Sequence, residues 1–145
     1  MIKSATIYER NGIYFICTSS RTTSGLWISD GDCYMVNVDS EYEELGKYVF
    51  MALNNSRYNI PDPTDWKVIT IPLLKAAKVK SFSAFGKIAK CVLVDLDNKI
   101  EITSTENKSN IKRGFVDKEE KIILPVNTSN TELGKSIEEA FLKCL

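Results

Sequence analysis

Short apolar runs separated by turn residues fill the first forty positions, a pattern typical of β-strands joined by tight turns. Two such runs are Ala5–Glu9 and Tyr14–Ser19, and Asn11-Gly12 between them is a favoured pair for a type I′ turn. An N-terminal β-hairpin is therefore predicted. The next apolar runs predict two further strands, at residues 26–28 and 34–38.

From residue 40 the apolar spacing changes to steps of three and four residues, which predicts an amphipathic helix over Ser40–Ser56. Ser40 is the predicted N-cap, and Glu43 would complete a capping box with it. The same spacing returns near the C-terminus, from Leu133 to Leu142, and predicts a closing helix with Asn130 as its cap.

The segment between these helices mixes helical and strand patterns. It predicts, in chain order, short helices at 72–78 and 81–89, a hairpin of strands 91–96 and 99–104, a mobile polar loop at 105–112, and a strand at 122–126.

These elements predict one α/β-type domain of the α+β class over residues 1–145. A mixed β-sheet that includes the N-terminal hairpin would be packed by the two main amphipathic helices and by the short helices. A composition of 43% hydrophobic and 26% charged residues is typical of a chain that folds by itself. Gly46 and Gly134 lie early in the two main helices, and close approach of each helix to the sheet is the predicted reason.

The chain contains no histidine, which excludes Ser-His-Asp and Cys-His catalysis and the histidine zinc motifs. We predict no catalytic residue, no metal site and no cofactor. The 19 basic and 19 acidic residues balance, so no overall field favours nucleic acid or a membrane as partner. A carboxylate-dependent enzyme remains an alternative. A small nucleic-acid-binding domain is another, since residues 67–90 carry six lysines and no acid.

The four cysteines are far apart in the sequence, with no CxxC pair, so we expect buried reduced thiols. They are Cys17, Cys33, Cys91 and Cys144. Residues 1–17 lack the uninterrupted apolar region of a secretory signal, and no stretch approaches a membrane span. A cytoplasmic location is the resulting expectation.

Acidic residues are concentrated between Trp27 and Leu45, where six acids occur without a base: Asp30, Asp32, Asp39, Glu41, Glu43 and Glu44. Because unpaired carboxylates are costly to bury, we expect this block to lie largely in solvent and to face a basic partner. Arg21 and Arg57 each follow a serine, and each is a candidate to bind an internal carboxylate, loop carbonyls or an anion.

The chain resembles the immunity proteins of bacterial contact-dependent growth inhibition (CDI) systems over nearly its whole length. The resemblance rests on the N-terminal hairpin segment Ser4–Tyr8 with Asn11-Gly12, on later motifs, and on their order along the chain. Those motifs are Ser19-Ser20-Arg21, Gly25-Leu26-Trp27, Leu45-Gly46, Ala52–Arg57, Ile60–Trp66, Ser81-Phe82, Gly114–Val116, Leu133-Gly134 and Ala140-Phe141.

This resemblance implies a non-enzymatic protein that binds the toxic C-terminal domain of its cognate CDI toxin and blocks the active site of that domain. We expect the toxin domain to be a ribonuclease. The family carries no transferable contact list, so the contacts are predicted from charge and from expected exposure. The predicted toxin-binding residues are Trp27, Asp30, Asp32, Tyr34, Glu41, Tyr42 and Glu44.

Overall fold

In a computed structural model, which describes residues 1–145, the chain folds into seven strands and four helices. The strands are β1 Lys3–Arg10, β2 Ile13–Arg21, β3 Trp27–Ser29, β4 Tyr34–Asn37, β5 Lys90–Leu96, β6 Lys99–Asn107 and β7 Phe115–Pro125. The helices are α1 Tyr42–Asn54, α2 Ile71–Ala77, α3 Phe82–Gly86 and α4 Asn130–Leu142. The α+β fold class predicted from the sequence is confirmed.

All seven strands belong to one sheet, in which β2, β1, β5, β6 and β7 follow one another. Strands β3 and β4 both pair with β2, each along a different half of it. The pairing between these strands is antiparallel throughout rather than mixed. The predicted N-terminal hairpin is present, and positive φ angles of 52° at Asn11 and 78° at Gly12 make its turn.

The two sides of the sheet are covered differently. Helices α1 and α4 pack together on one side, where they bury the larger hydrophobic core with residues such as Ile7 and Ile16. Neighbouring positions of β2 point the other way, and Phe15 and Cys17 there form a small second core with α2 and α3. The short helices cover only part of that second side, which leaves the remainder of the sheet open.

Both main helices begin one or two residues from the predicted positions. Glu41 rather than Ser40 is the N-cap of α1, and no side-chain hydrogen bond caps the helix, so the predicted capping box is absent. Ser40 belongs instead to the preceding turn, where its backbone N–H donates to the Asn37 carbonyl at 3.0 Å. Ser129 rather than Asn130 caps α4, because its hydroxyl accepts from the Glu132 N–H at 3.1 Å.

The predicted mobile loop at 105–112 is wrong in its first half. Residues 105–107 continue β6 and pair with β7, which begins at Phe115 and is much longer than the predicted strand. The polar side chains there bond to backbone: the buried Thr105 hydroxyl donates to the Cys91 carbonyl at 2.6 Å. The following residues, Ser109–Ile111, form a 3-10 turn.

Two of the four cysteines differ from the expected reduced state, since Cys17 and Cys33 form a disulfide. The pairing of Ile16 with Tyr34 explains this, because it places the next β2 residue opposite the residue that precedes β4. Cys91 and Cys144 are free and buried, as expected. None of the helices is long and apolar enough to cross a membrane.

Candidate functional site

The predicted binding residues fall into two groups at opposite ends of α1. Glu41, Tyr42 and Glu44 lie where the helix starts. Trp27, Asp30 and Tyr34 contact residues just after its end, namely Tyr58, Arg57 and Asn55 respectively. A helix of 13 residues is about 20 Å long at 1.5 Å per residue, so the block that is continuous in sequence is divided in space.

The first group, here called the α1-start patch, comprises Asp39, Glu41, Tyr42, Glu43, Glu44 and Glu138. A shallow depression of about 470 Å³ lies within it, and four of its eight lining residues are acids while none is Lys or Arg. The lining consists of Val38, Asp39, Ser40, Glu41, Tyr42, Glu43, Thr131 and Glu138. The lining contains these four carboxylates and no compensating base, so the depression carries a negative potential.

Tyr42 joins the two main helices within the α1-start patch. Its hydroxyl donates to Glu138 Oε1 at 3.0 Å. This hydrogen bond and the charge of Glu138 raise the pKa of Tyr42. The neighbouring acids Glu43 and Glu44 are exposed in the first turn of α1, where the helix dipole favours negative charge. The start of α1 therefore supplies three of the five carboxylates of the patch, those of Glu41, Glu43 and Glu44.

The second group, here called the α1-end patch, comprises Trp27, Asp30, Asp32, Tyr34, Asn55, Arg57 and Tyr58. Asp30 does not lie free in solvent as predicted: its side chain is only 16% exposed and is paired with Arg57. Arg57 Nε and Nη2 donate to the two carboxylate oxygens at 2.9 Å each, and the Ser20 hydroxyl adds a third hydrogen bond at 2.6 Å.

The Arg57 hydrogen bonds lower the pKa of Asp30, with a smaller contribution from Ser20, against the opposing effect of desolvation. One of the options predicted for Arg57, binding of an internal carboxylate, is thereby confirmed. Because this pair neutralises the Asp30 charge, the exposed Asp32 is the free carboxylate at this end of the predicted block.

Aromatic side chains give the α1-end patch its apolar character. Trp27 is 40% exposed and packs edge-on against Tyr58, with ring centres 5.6 Å apart. Tyr34 packs against Tyr48 at 5.2 Å, and its hydroxyl accepts from Asn55 Nδ2 at 3.2 Å. These partly exposed rings are held in place by neighbours, so they are available to a partner at little further loss of side-chain freedom.

A recess beside Trp27 that contains Asp95 was not predicted from the sequence. The only signal for it was a carboxylate within the otherwise apolar run Cys91–Leu96, which was assigned to a hairpin strand without a further role.

Two other chemical features can be placed on the structure. No group of three or more Cys, Asp or Glu side chains lies close enough together to hold a metal ion. The six lysines of residues 67–90 are all exposed, and they lie in and around α2 and α3.

Comparison with known families decides the identity of the chain, because the CDI immunity protein family (CdiI) matches residues 3–144. The chain belongs to this family. CDI immunity proteins are non-enzymatic inhibitors, so this CdiI protein neutralises a CDI toxin. No curated protein matched the chain in a sequence search.

Two solved structures share the fold of this CdiI protein. A protein of unknown function from Neisseria meningitidis superposes with a TM-score of 0.82 at 19% identity, covering 100% of this chain and 96% of that chain. A chain of the CdiA-CT/CdiI toxin and immunity complex from Yersinia pseudotuberculosis superposes with a TM-score of 0.81 at 18% identity, covering 100% of this chain and 98% of that chain. At these identities the likeness concerns the fold.

Proposed function

We propose that this CdiI protein binds the CdiA-CT domain of its cognate toxin in the cytoplasm and blocks the active site of a ribonuclease. The observation that carries the proposal is the α1-start patch, a depression with four acids and no base in its lining. The complex from Yersinia pseudotuberculosis, one chain of which has the same fold, supports a CdiA-CT domain as the partner.

A ribonuclease needs a basic cleft, because its substrate carries one negative charge on every phosphate. Carboxylates from the α1-start patch would occupy that cleft in place of the phosphates and exclude the RNA. Opposite charges on the two proteins also raise the association rate constant, up to about 10⁸–10⁹ M⁻¹s⁻¹ at low salt. Rapid capture matters for a protein that must find a free toxin before the toxin reaches its target.

The α1-end patch contributes apolar contacts in this proposal. Trp27 and Tyr34 are the anchors, since partly exposed aromatic side chains are enriched among the residues that dominate binding energy. Asp32 adds a free carboxylate, whereas Asp30 acts through Arg57, which it positions. Two patches about 20 Å apart fit within one interface, because a standard interface buries about 800 Å² on each partner.

The test is a double charge reversal in the α1-start patch, Glu41→Lys with Glu44→Lys. Both side chains are exposed, so the variant should fold, although reversing two charges at the helix N-terminus costs about 1–3 kcal/mol through the helix dipole. The association rate with an inactivated CdiA-CT domain should fall by about tenfold or more at low salt, and its salt dependence should weaken. Protection of cells that express the active toxin should fall as well.

The matched control is Glu119→Lys with Glu120→Lys, which changes the same charge at two exposed positions of β7. It should associate and protect as the parent protein does. If the α1-start variant binds as fast as the parent at every salt concentration, the interface lies elsewhere. Cleavage of total RNA by the free toxin, and its loss on adding this protein, tests the ribonuclease assignment separately.

A further inference from the structure

The open part of the sheet contains a recess of about 350 Å³ next to the α1-end patch. It lies on the side opposite α1 and α4, beyond the region covered by α2 and α3. Its lining comes from β1, β2, β3, β5 and the residue before β1, and comprises Ile2, Ser4, Thr6, Ser19, Trp27, Leu93 and Asp95. The volume is within the range of about 300–1,000 Å³ that small-ligand pockets have.

Asp95 is the only charged residue of this lining, and it has no ion-pair partner within 4.0 Å. Strand register places Ser4 on one side of it and Glu101 on the other. The nearby cations are already engaged, because Lys99 and Lys121 both pair with Glu101, at 3.2 and 3.5 Å. Asp95 is thus a half-buried carboxylate without an ion-pair partner.

Such a carboxylate carries a desolvation cost that an incoming cation would offset. Burial is also the main reason that the pKa of Asp95 is raised, with the charge of Glu101 adding to it and Ser4 opposing it. The other walls suit the stem of a long basic side chain: Leu93 and Ile2 are apolar, and Trp27 offers an indole ring. Indole and carboxylate together are favourable partners for a guanidinium or ammonium group.

We infer that this recess receives one arginine or lysine side chain of the CdiA-CT domain, with Asp95 as its counter-ion. The inference rests on the proposed toxin binding and extends it around the edge of the sheet. The recess adjoins the α1-end patch, because Trp27 belongs to both. This position supports the toxin, rather than another molecule, as the partner that fills the recess. A toxin that contacts Trp27 would therefore lie beside the recess that Asp95 also lines.

The test compares Asp95→Asn with Asp97→Asn. Both remove one negative charge from the same part of the chain, but Asp97 is 57% exposed and lies outside the recess lining. Asp95→Asn should weaken binding of an inactivated CdiA-CT domain by about tenfold or more, mainly through faster dissociation. Asp97→Asn should bind within about threefold of the parent protein, as is usual for rim charges.

Thermal unfolding provides the check on folding. The Asp95→Asn variant should unfold at the same or a higher temperature than the parent at neutral pH, since a neutral amide avoids the cost of burying a charge. A second variant, Leu93→Lys, places an internal ammonium group beside Asp95, and Leu93 belongs to neither hydrophobic core. It should weaken toxin binding as Asp95→Asn does, because the recess is then occupied.

Three outcomes separate this inference from the proposal on which it depends. Weaker binding by Asp95→Asn and Leu93→Lys, with Asp97→Asn unchanged, supports the recess. If Asp95→Asn binds the toxin like the parent while Glu41→Lys with Glu44→Lys binds it poorly, the proposed role of the recess is rejected. The proposed interface at the α1-start patch is then retained. If both recess variants bind poorly and the α1-start variant does not, the toxin approaches the open sheet instead, and the acidic interface is overturned.

Discussion

Gly46 of α1 and Gly134 of α4 are the two positions at which the backbones of the main helices come closest. A Cβ atom at Gly46 would overlap the backbone carbonyl of Asn130, and one at Gly134 would overlap that of Tyr42. The two glycines predicted a close approach of each helix, but the expected neighbour was the sheet. The approach is between the helices, because both lie on the same side of the sheet and their first turns meet.

Replacing either glycine by alanine should therefore destabilise the fold, although alanine is the better helix former by about 1 kcal/mol. The overlap is with backbone, which cannot rotate away as a side chain does. A loss of about 1–3 kcal/mol in the free energy of unfolding is expected for Gly46→Ala and for Gly134→Ala. Urea-induced unfolding followed by circular dichroism measures it.

Gly86 in α3 provides the control, since the nearest atom to an added Cβ there is Ser109 Oγ at 3.5 Å, an ordinary contact distance. Gly86→Ala should leave the stability unchanged or raise it slightly. If all three variants were equally stable, the helices would be able to separate at no cost, and the close approach would not be a structural constraint.

Local patterns were sufficient to predict most elements of the fold. The Asn11-Gly12 turn, the change to helical spacing after residue 40 and the second hairpin are each encoded in fewer than twenty consecutive residues. The start of β7 and the extension of β6 were missed because they are polar strands. Their pairing joins residues that are separated in the sequence, such as Thr105 with Asp117 and Asn107 with Phe115, and composition does not reveal it.

In the candidate site too, features that depend on neighbouring residues were predicted, and features that join residues far apart in the sequence were not. The exposure of Glu41, Glu43 and Glu44 follows from their place in the first turn of a helix. The pairing of Asp30 with Arg57 joins residues 27 positions apart, and the Asp95 recess joins β1, β2, β3 and β5. Those arrangements depend on the strand order and could not be predicted from spacing.

The Asp30–Arg57 pair should give the fold a pH-dependent contribution to stability. Because the folded state lowers the pKa of Asp30, this contribution is complete above the pKa of a free aspartate, about 3.9, and is lost as the pH falls through the lower folded value. At neutral pH, Asp30→Asn should cost about 1 kcal/mol, a modest figure because solvent screens the exposed Arg57.

Unfolding experiments on the parent and on Asp30→Asn, from neutral pH to acid, measure this difference in stability. The gap should close as the solution becomes more acidic than the pKa of Asp30. Asp39→Asn serves as the comparison, because Asp39 is exposed and forms no ion pair. A gap for Asp30→Asn that persisted unchanged into strong acid would show that the pair contributes through packing rather than through charge.

The Cys17–Cys33 disulfide should stabilise the protein against unfolding, since it closes a loop of 16 residues in the unfolded chain. A loop of that length corresponds to about 3 kcal/mol. Adding a phosphine reductant should lower the unfolding temperature of the parent to that of the variant Cys17→Ala with Cys33→Ala. The variant itself should not respond to the reductant, because its remaining cysteines, Cys91 and Cys144, are free thiols; a response there would show that the reductant does not act through the Cys17–Cys33 disulfide.

Neutralisation of the toxin should be stoichiometric, because a non-enzymatic inhibitor acts only on the toxin molecule that it occupies. With the toxin well above the dissociation constant of the complex, each added molecule removes one active toxin. Residual toxin activity should then fall in a straight line and end near an equimolar ratio, as measured by titration with purified protein.

The control in this titration is Glu119→Lys with Glu120→Lys, whose changes lie on β7, away from the α1-start patch. It should give the same end point as the parent. The variant Glu41→Lys with Glu44→Lys should instead give a curved titration, because weaker binding leaves free toxin even when the inhibitor is in excess. Complete loss of activity at about one hundredth of the equimolar ratio would require one molecule to act on many toxins, which a protein that works only by occupying its target cannot do.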